Sequence, residues 1–195
     1  DFGDSAGCSV TCPQTWDRLR WYLPHVQHNG AYIRSMYDDG GRASEIFAGP
    51  LMNPGTAVSL RAIGALLANP GLSDVSVVEA AVEEVYRPRN GETRNRLVQY
   101  VLEAERAYFD GPGDGLNGDL LFEDLSNVYP GKPIYLCGRP EDALNLYAQK
   151  MDDLARRAAA CEPQVDDGAV LRDTCWAMRC AASEAREVMR GVWTR

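Results

Sequence analysis

The chain has 195 residues, of which 45% are hydrophobic, and a formal net charge of −8. This length and composition predict one globular domain spanning 1–195 with a sizeable core, and they exclude a disordered chain. The acidic charge disfavours nucleic acid as a partner because a phosphate backbone would be repelled, and no apolar run reaches the roughly 20 residues of a membrane span.

The first half of the chain carries repeated signals for helices. Pro13 is suited to the first turn of a helical region that continues past a bend at Pro24. An Asn-Pro pair at the start and a Pro-Gly pair at the end predict a helix over 54–69. Apolar residues that share one face, preceded by a cap at Ser73 or Asp74, predict another helix over 74–87.

The second half is predicted to hold long helices separated by breaks. An amphipathic helix covers 92–109, and the glycine-rich stretch 110–118 ends it before a short helix over 119–125. Three prolines predict an extended loop over 128–140, after which a clean helix begins, and the last helix runs over 167–191. No segment alternates long enough to predict a sheet strand. The expected fold is therefore an all-α, single-domain bundle of about seven to eight helices.

The cysteines gather at the two ends of the chain. An even number of cysteines, in a chain that begins at Asp1 rather than at a methionine, predicts a processed protein of an oxidising compartment, which would be secreted, periplasmic or lumenal. We expect disulfides to link the ends, with 1–12 as a disulfide-bearing arm. The predicted half-cystines are Cys8, Cys12, Cys137, Cys161, Cys175 and Cys180.

Helix geometry restricts the pairing. Cys175 and Cys180 lie five residues apart on one predicted helix, about 8 to 9 Å, which exceeds the roughly 7 Å that a disulfide allows. A long helix also separates Cys137 from Cys161, and the two cysteines of the arm 1–12 are disfavoured partners for each other. Because Cys180 lies off the apolar stripe, we expect the arm to cross the last helix and to be bridged to the 137–180 region.

Two metal-like patterns fail on inspection. The segment 8–28 reads C-x3-C-x12-H-x2-H, close to the spacing of a zinc finger, but Pro24 breaks the helix and the second gap is too short. The acidic break after Phe109 resembles a calcium loop, but Pro112 and Leu121 occupy positions that require oxygen donors. We therefore predict no metal and no cofactor.

Aromatic and arginine side chains concentrate in the first helical region, and these residue types anchor protein interfaces. We expect a non-enzymatic protein that binds a protein partner, as an inhibitor, immunity protein or accessory subunit would, with the 128–140 loop contributing. The candidate binding residues are Trp16, Arg20, Trp21, Tyr22, Arg34 and Tyr37.

Two other classes stay open. One is an all-α hydrolase of an extracellular or cell-wall polymer, which would use a glutamate general acid with a raised pKa in a deep cleft. The other is a small-ligand carrier, which would enclose an apolar cavity between helices. A flat apolar patch without such a glutamate would favour the protein binder.

Overall fold

A computed structural model describes residues 7–11, 24–47, 54–109 and 140–191. These residues form six α-helices and one pair of short strands, so the all-α prediction is confirmed in character, whereas the described residues hold six helices and not seven to eight. The predicted helix over 119–125 and the loop over 128–139 lie outside the described residues. The elements are β1 (Gly7–Thr11), α1 (Val26–Asp38), β2 (Ala43–Phe47), α2 (Pro54–Ala68), α3 (Asp74–Val85), α4 (Gly91–Phe109), α5 (Glu141–Cys161), a 3-10 turn (Glu162–Gln164) and α6 (Gly168–Met189).

Most helices pack against the next one along the chain. The pair α5 and α6 shares the most extensive interface, α4 packs on both α3 and α5, and α1 packs on α2. Each helix turns an apolar stripe of helical period toward one continuous core. Fully buried members of that core include Ile33, Ile63, Leu66, Val78, Leu97, Tyr100, Tyr147 and Met151.

Side-chain caps set where several helices begin. The Ser73 hydroxyl accepts a hydrogen bond from the backbone N–H of Ser76 at 3.2 Å, which starts α3. The Asp167 carboxylate accepts one from the N–H of Ala169 at 3.1 Å, which starts α6. Both caps stand where the sequence predicted these helices to begin.

The N-terminal arm does not behave as predicted. Its described part, β1, pairs in parallel with β2, from Gly7 opposite Ala43 to Thr11 opposite Phe47, and packs against α1. No strand was expected, because five residues are too short for an alternating pattern to stand out. The β-branched and aromatic residues in these two segments favour extended backbone all the same.

No disulfide joins the three cysteines whose side chains the structure describes, so the predicted disulfide linkage is wrong for Cys161, Cys175 and Cys180. Cys161 and Cys175 are buried thiols on α5 and α6, and the Cys175 thiol donates a hydrogen bond to the carbonyl oxygen of Ala155 at 3.3 Å. The thiol of Cys180 is partly exposed. Buried cysteine packs as a small hydrophobic residue, which accounts for its place on the apolar stripe. Cys12 and Cys137 lie outside the described residues.

Candidate functional site

Only two of the predicted binding residues fall in the described part of the chain, and both are on α1. The Arg34 guanidinium donates to the carbonyl oxygens of Pro70 at 3.2 Å and Leu72 at 2.9 Å, and it pairs with Asp74 at 2.6 Å. Arg34 therefore fastens α1 to the turn between α2 and α3, which is a structural role. The other predicted residues lie outside the described residues: Trp16, Arg20, Trp21 and Tyr22.

The exposed aromatic side chains of α1 do not form one patch. Tyr37 is 42% exposed, with the Arg42 guanidinium 4.1 Å from the centre of its ring. Tyr32 is 50% exposed and packs edge-on against the His28 ring at 4.9 Å. Five residues separate the two tyrosines, so they point about 140° apart around the helix axis. The surface of α1 thus offers two separate aromatic contacts.

A surface groove of about 440 Å³ runs between α4 and α5. Its apolar lining comes from Ala107 and Leu154, which are buried, and from Leu146, which is 53% exposed. An apolar base beside an exposed leucine can seat an apolar side chain of another chain. Sequence reasoning missed it because Leu146 lies just off the buried stripe of α5.

A second surface groove lies on the other side of Arg157, which lines both grooves. This second part also measures about 440 Å³ and is lined by polar residues of α4, among them Asn95 and Gln99, and by Ala160 of α5. Since the first part joins the end of α4 to the start of α5, the two helices run antiparallel along the groove. We call these two parts together the α4–α5 groove; they follow both helices for several turns.

The carboxylates of the α4–α5 groove are already paired. Arg157 forms an ion pair with Glu103 across the groove and lies 3.8 Å from Asp153, and the hydrogen bond to Glu103 raises the pKa of Arg157. By contrast, Arg106 and Lys150 have no carboxylate partner among the residues that the structure describes. The Arg106 Nε donates to a main-chain carbonyl in its own helix at 3.2 Å. Two cations in the groove are thus available to an anionic partner.

Glu105 is a buried carboxylate on α4 that caps α1. Its Oε2 accepts hydrogen bonds from the backbone N–H groups of Val26 at 3.0 Å and Gln27 at 2.9 Å, and its Oε1 accepts one from His28 at 2.7 Å. Burial raises the pKa of Glu105, while these hydrogen bonds act in the opposite direction. The residue is 2% exposed and lines neither part of the α4–α5 groove. A general acid must reach its substrate, so this geometry favours a structural role.

Sequence analysis did not single out Glu105, because a cap supplied by a different helix leaves no local pattern. A helical wheel of α4 gives one indication that Glu105 is buried, since Glu105 lies on the same side of the helix as the buried residues Val101 and Ala104.

The histidines of the zinc-like pattern have other surroundings. His25 is buried, and its backbone N–H donates to the Ser59 hydroxyl at 2.9 Å. Within the described ranges, no three histidine, cysteine, aspartate or glutamate residues converge as a metal site would require. None of the helices in those ranges has the length and apolarity to span a membrane.

The sequence matches no protein-family model, and comparisons with curated proteins and with solved structures gave no match.

Proposed function

We propose that this protein acts by binding a partner protein, and that the α4–α5 groove is the docking surface. The exposed side chain of Leu146, set over an apolar base between charged residues, is the observation that carries the proposal. Protein interfaces combine an apolar centre with a polar rim, and grooves between helices accept amphipathic segments. The predicted surface at 16–37 stays a prediction, with Arg34 engaged inside the fold.

The hydrolase alternative finds less support. It needs an acid with a raised pKa at the wall of an accessible cleft, whereas Glu105 is enclosed and engaged by three backbone N–H groups. Glu103, which does line the α4–α5 groove, is paired with Arg157. The oxidising compartment was inferred from disulfides and stays a prediction, which the buried thiols on α5 and α6 do not strengthen.

A photo-crosslinking amino acid placed at position 146 tests the proposal. We expect irradiation of the tagged protein in its native extract to trap one partner in stoichiometric amount. The matched control places the same group at Val75, which is 49% exposed on α3 and remote in sequence from the groove. Equal labelling from both positions, or trapping from Val75 alone, would contradict the assignment of the groove.

A further inference from the structure

We propose that the partner segment seated in the α4–α5 groove is an acidic amphipathic helix. This inference rests on the proposed function and specifies its partner. In the bound state, an apolar side chain of the segment covers Leu146, and its carboxylates contact Arg106 and Lys150. The juxtaposition of one exposed leucine with two cations that lack a carboxylate partner in the described residues points to this chemistry.

The charge of the groove runs against that of the chain. The whole protein carries a net charge of −8, with 28 acidic residues against 20 basic ones. In the part of the α4–α5 groove around Leu146, three cations face two carboxylates; one carboxylate pairs with Arg157, and the other pairs at 2.8 Å with Arg156, which lies outside the lining. What remains for a partner is the positive charge of Arg106 and Lys150. An acidic segment gains charge-assisted hydrogen bonds there, whereas a basic segment meets like charge.

Spacing along α5 favours a helical segment. Leu146 and Lys150 are four residues apart on the same helix, which places them about 6 Å apart along its axis. A partner helix presents an apolar residue and a carboxylate at the same interval on one face. Arg106 lines the same part of the groove from α4, so a second carboxylate on the flank of the partner helix can reach it.

Synthetic peptides of about 15 residues, with enough length to form several helical turns, test the inference. One peptide repeats leucine and glutamate at four-residue intervals; the second replaces each glutamate by lysine, and the third replaces each leucine by alanine. Fluorescence anisotropy measures their binding to the intact chain. We expect the acidic leucine peptide to bind, the lysine peptide not to bind, and the alanine peptide to bind at least tenfold more weakly.

Charge-reversal variants connect binding to the groove. Arg106→Glu and Lys150→Glu should each weaken the acidic peptide by about tenfold and allow the lysine peptide to bind. The matched control is Arg179→Glu, which makes the same change of charge at an exposed position of α6 and should leave both affinities unchanged. Circular dichroism establishes that all three variants keep the helical fold.

Several outcomes would overturn the inference. Equal affinity for the leucine and alanine peptides would mean that binding is a non-specific attraction between charges. An equal loss of acidic-peptide affinity in Arg179→Glu would lead to the same conclusion. The inference also fails if the acidic peptide does not bind and the crosslinker at position 146 reacts with the chain's own acidic stretch 110–139. The occupant of the groove would then be internal. If the crosslinker instead traps a partner through a neutral or basic segment, the proposed function survives and only its acidic specificity is lost.

Discussion

Oε1 of Glu105 accepts a hydrogen bond of 2.7 Å from the backbone N–H of His28, so a side chain of α4 caps the first turn of α1. A helix begins with N–H groups that have no partner within the helix, and a carboxylate is well suited to accept from them. No residue of the α1 sequence itself supplies a side-chain cap. The start of α1 therefore depends on its docking against α4.

Replacing Glu105 should destabilise the whole fold. Glu105→Ala leaves one buried and two half-buried N–H groups without their acceptor, and we expect the free energy of unfolding to fall by about 3 kcal/mol. The control is Glu103→Ala, two residues earlier on the same helix, which removes a half-exposed ion pair worth less than about 1 kcal/mol. Urea titrations followed by circular dichroism measure both. Equal losses for the two variants would show that Glu105 has no special role in capping.

The stability should also depend on pH through Glu105. Burial raises the pKa of this carboxyl above its ordinary 4.5, so the folded state binds the proton more tightly than the unfolded state. The free energy of unfolding must then decrease as the pH rises from the unfolded pKa to the raised folded pKa, and level off above it. Below the unfolded pKa both states are protonated and the dependence disappears.

Glu105→Gln isolates this effect because glutamine does not titrate. We expect urea titrations to show that the stability of the natural protein, relative to that of the variant, declines as the pH rises from about 4 toward the raised pKa of Glu105. A relative stability that rises over the same interval would mean that the hydrogen bonds from α1 outweigh burial, and the direction of the pKa shift would be reversed.

Helices could be predicted from the sequence wherever a local signal defines them. The sequence predicts one helix start at Ser73 or Asp74 and another near Asp167, and in the structure Ser73 and Asp167 cap α3 and α6. The strands were missed because β1 and β2 stabilise each other through a pairing of residues 36 positions apart, as Gly7 with Ala43. Such pairing leaves no local periodicity. The same reason explains the cap that Glu105 supplies to α1.

The candidate site was predictable only in part. Exposure of Leu146 depends on how closely α4 approaches α5, which periodicity does not define. Arg157 pairs with Glu103 on a different helix, and the spacing of charges along α5 alone does not predict this pair. Conversely, Arg34 was predicted to bind a partner because composition does not show that its guanidinium donates hydrogen bonds to the turn after α2.

Cys175 should be unreactive in the folded protein. Burial raises the pKa of its thiol to about 11, so near neutral pH almost none of it is the nucleophilic thiolate. We expect mass-spectrometric mapping after brief alkylation to find Cys175 unmodified in buffer and fully modified in urea. Recovery of Cys175 in a disulfide-linked peptide from the non-reduced protein would contradict the buried thiol and restore the cystine hypothesis.

Loss of the Arg34 side chain should loosen the packing of α1. Arg34→Ala removes hydrogen bonds to two main-chain carbonyls and the ion pair with Asp74, and we expect the free energy of unfolding to fall by about 1 to 2 kcal/mol. Arg61→Ala is the control because its ion pair with Glu84 joins two well-exposed side chains, and it should change stability by less than about 0.5 kcal/mol. A comparable loss of stability in both variants would mean that Arg34 contributes no more than an exposed ion pair does.

Two helical glycines should respond in opposite directions to alanine. A Cβ at Gly64 of α2 would meet no atom within 4 Å, so Gly64→Ala should raise the free energy of unfolding by about 0.5 to 1 kcal/mol through helix propensity alone. A Cβ at Gly30 of α1 would lie 3.1 Å from Nη1 of Arg34, 3.2 Å from Oδ1 of Asp74 and 3.2 Å from Leu66.

The Arg34–Asp74 pair is held by its other hydrogen bonds and cannot withdraw freely from a new methyl group at position 30. Gly30→Ala should therefore lose the propensity gain and lower the thermal midpoint, whereas Gly64→Ala raises it. The double variant Gly30→Ala with Arg34→Ala should recover part of that loss, because the guanidinium that crowds the Cβ is gone. If Gly30→Ala were as stabilising as Gly64→Ala, α1 would not approach α2 and α3 as closely as these distances indicate.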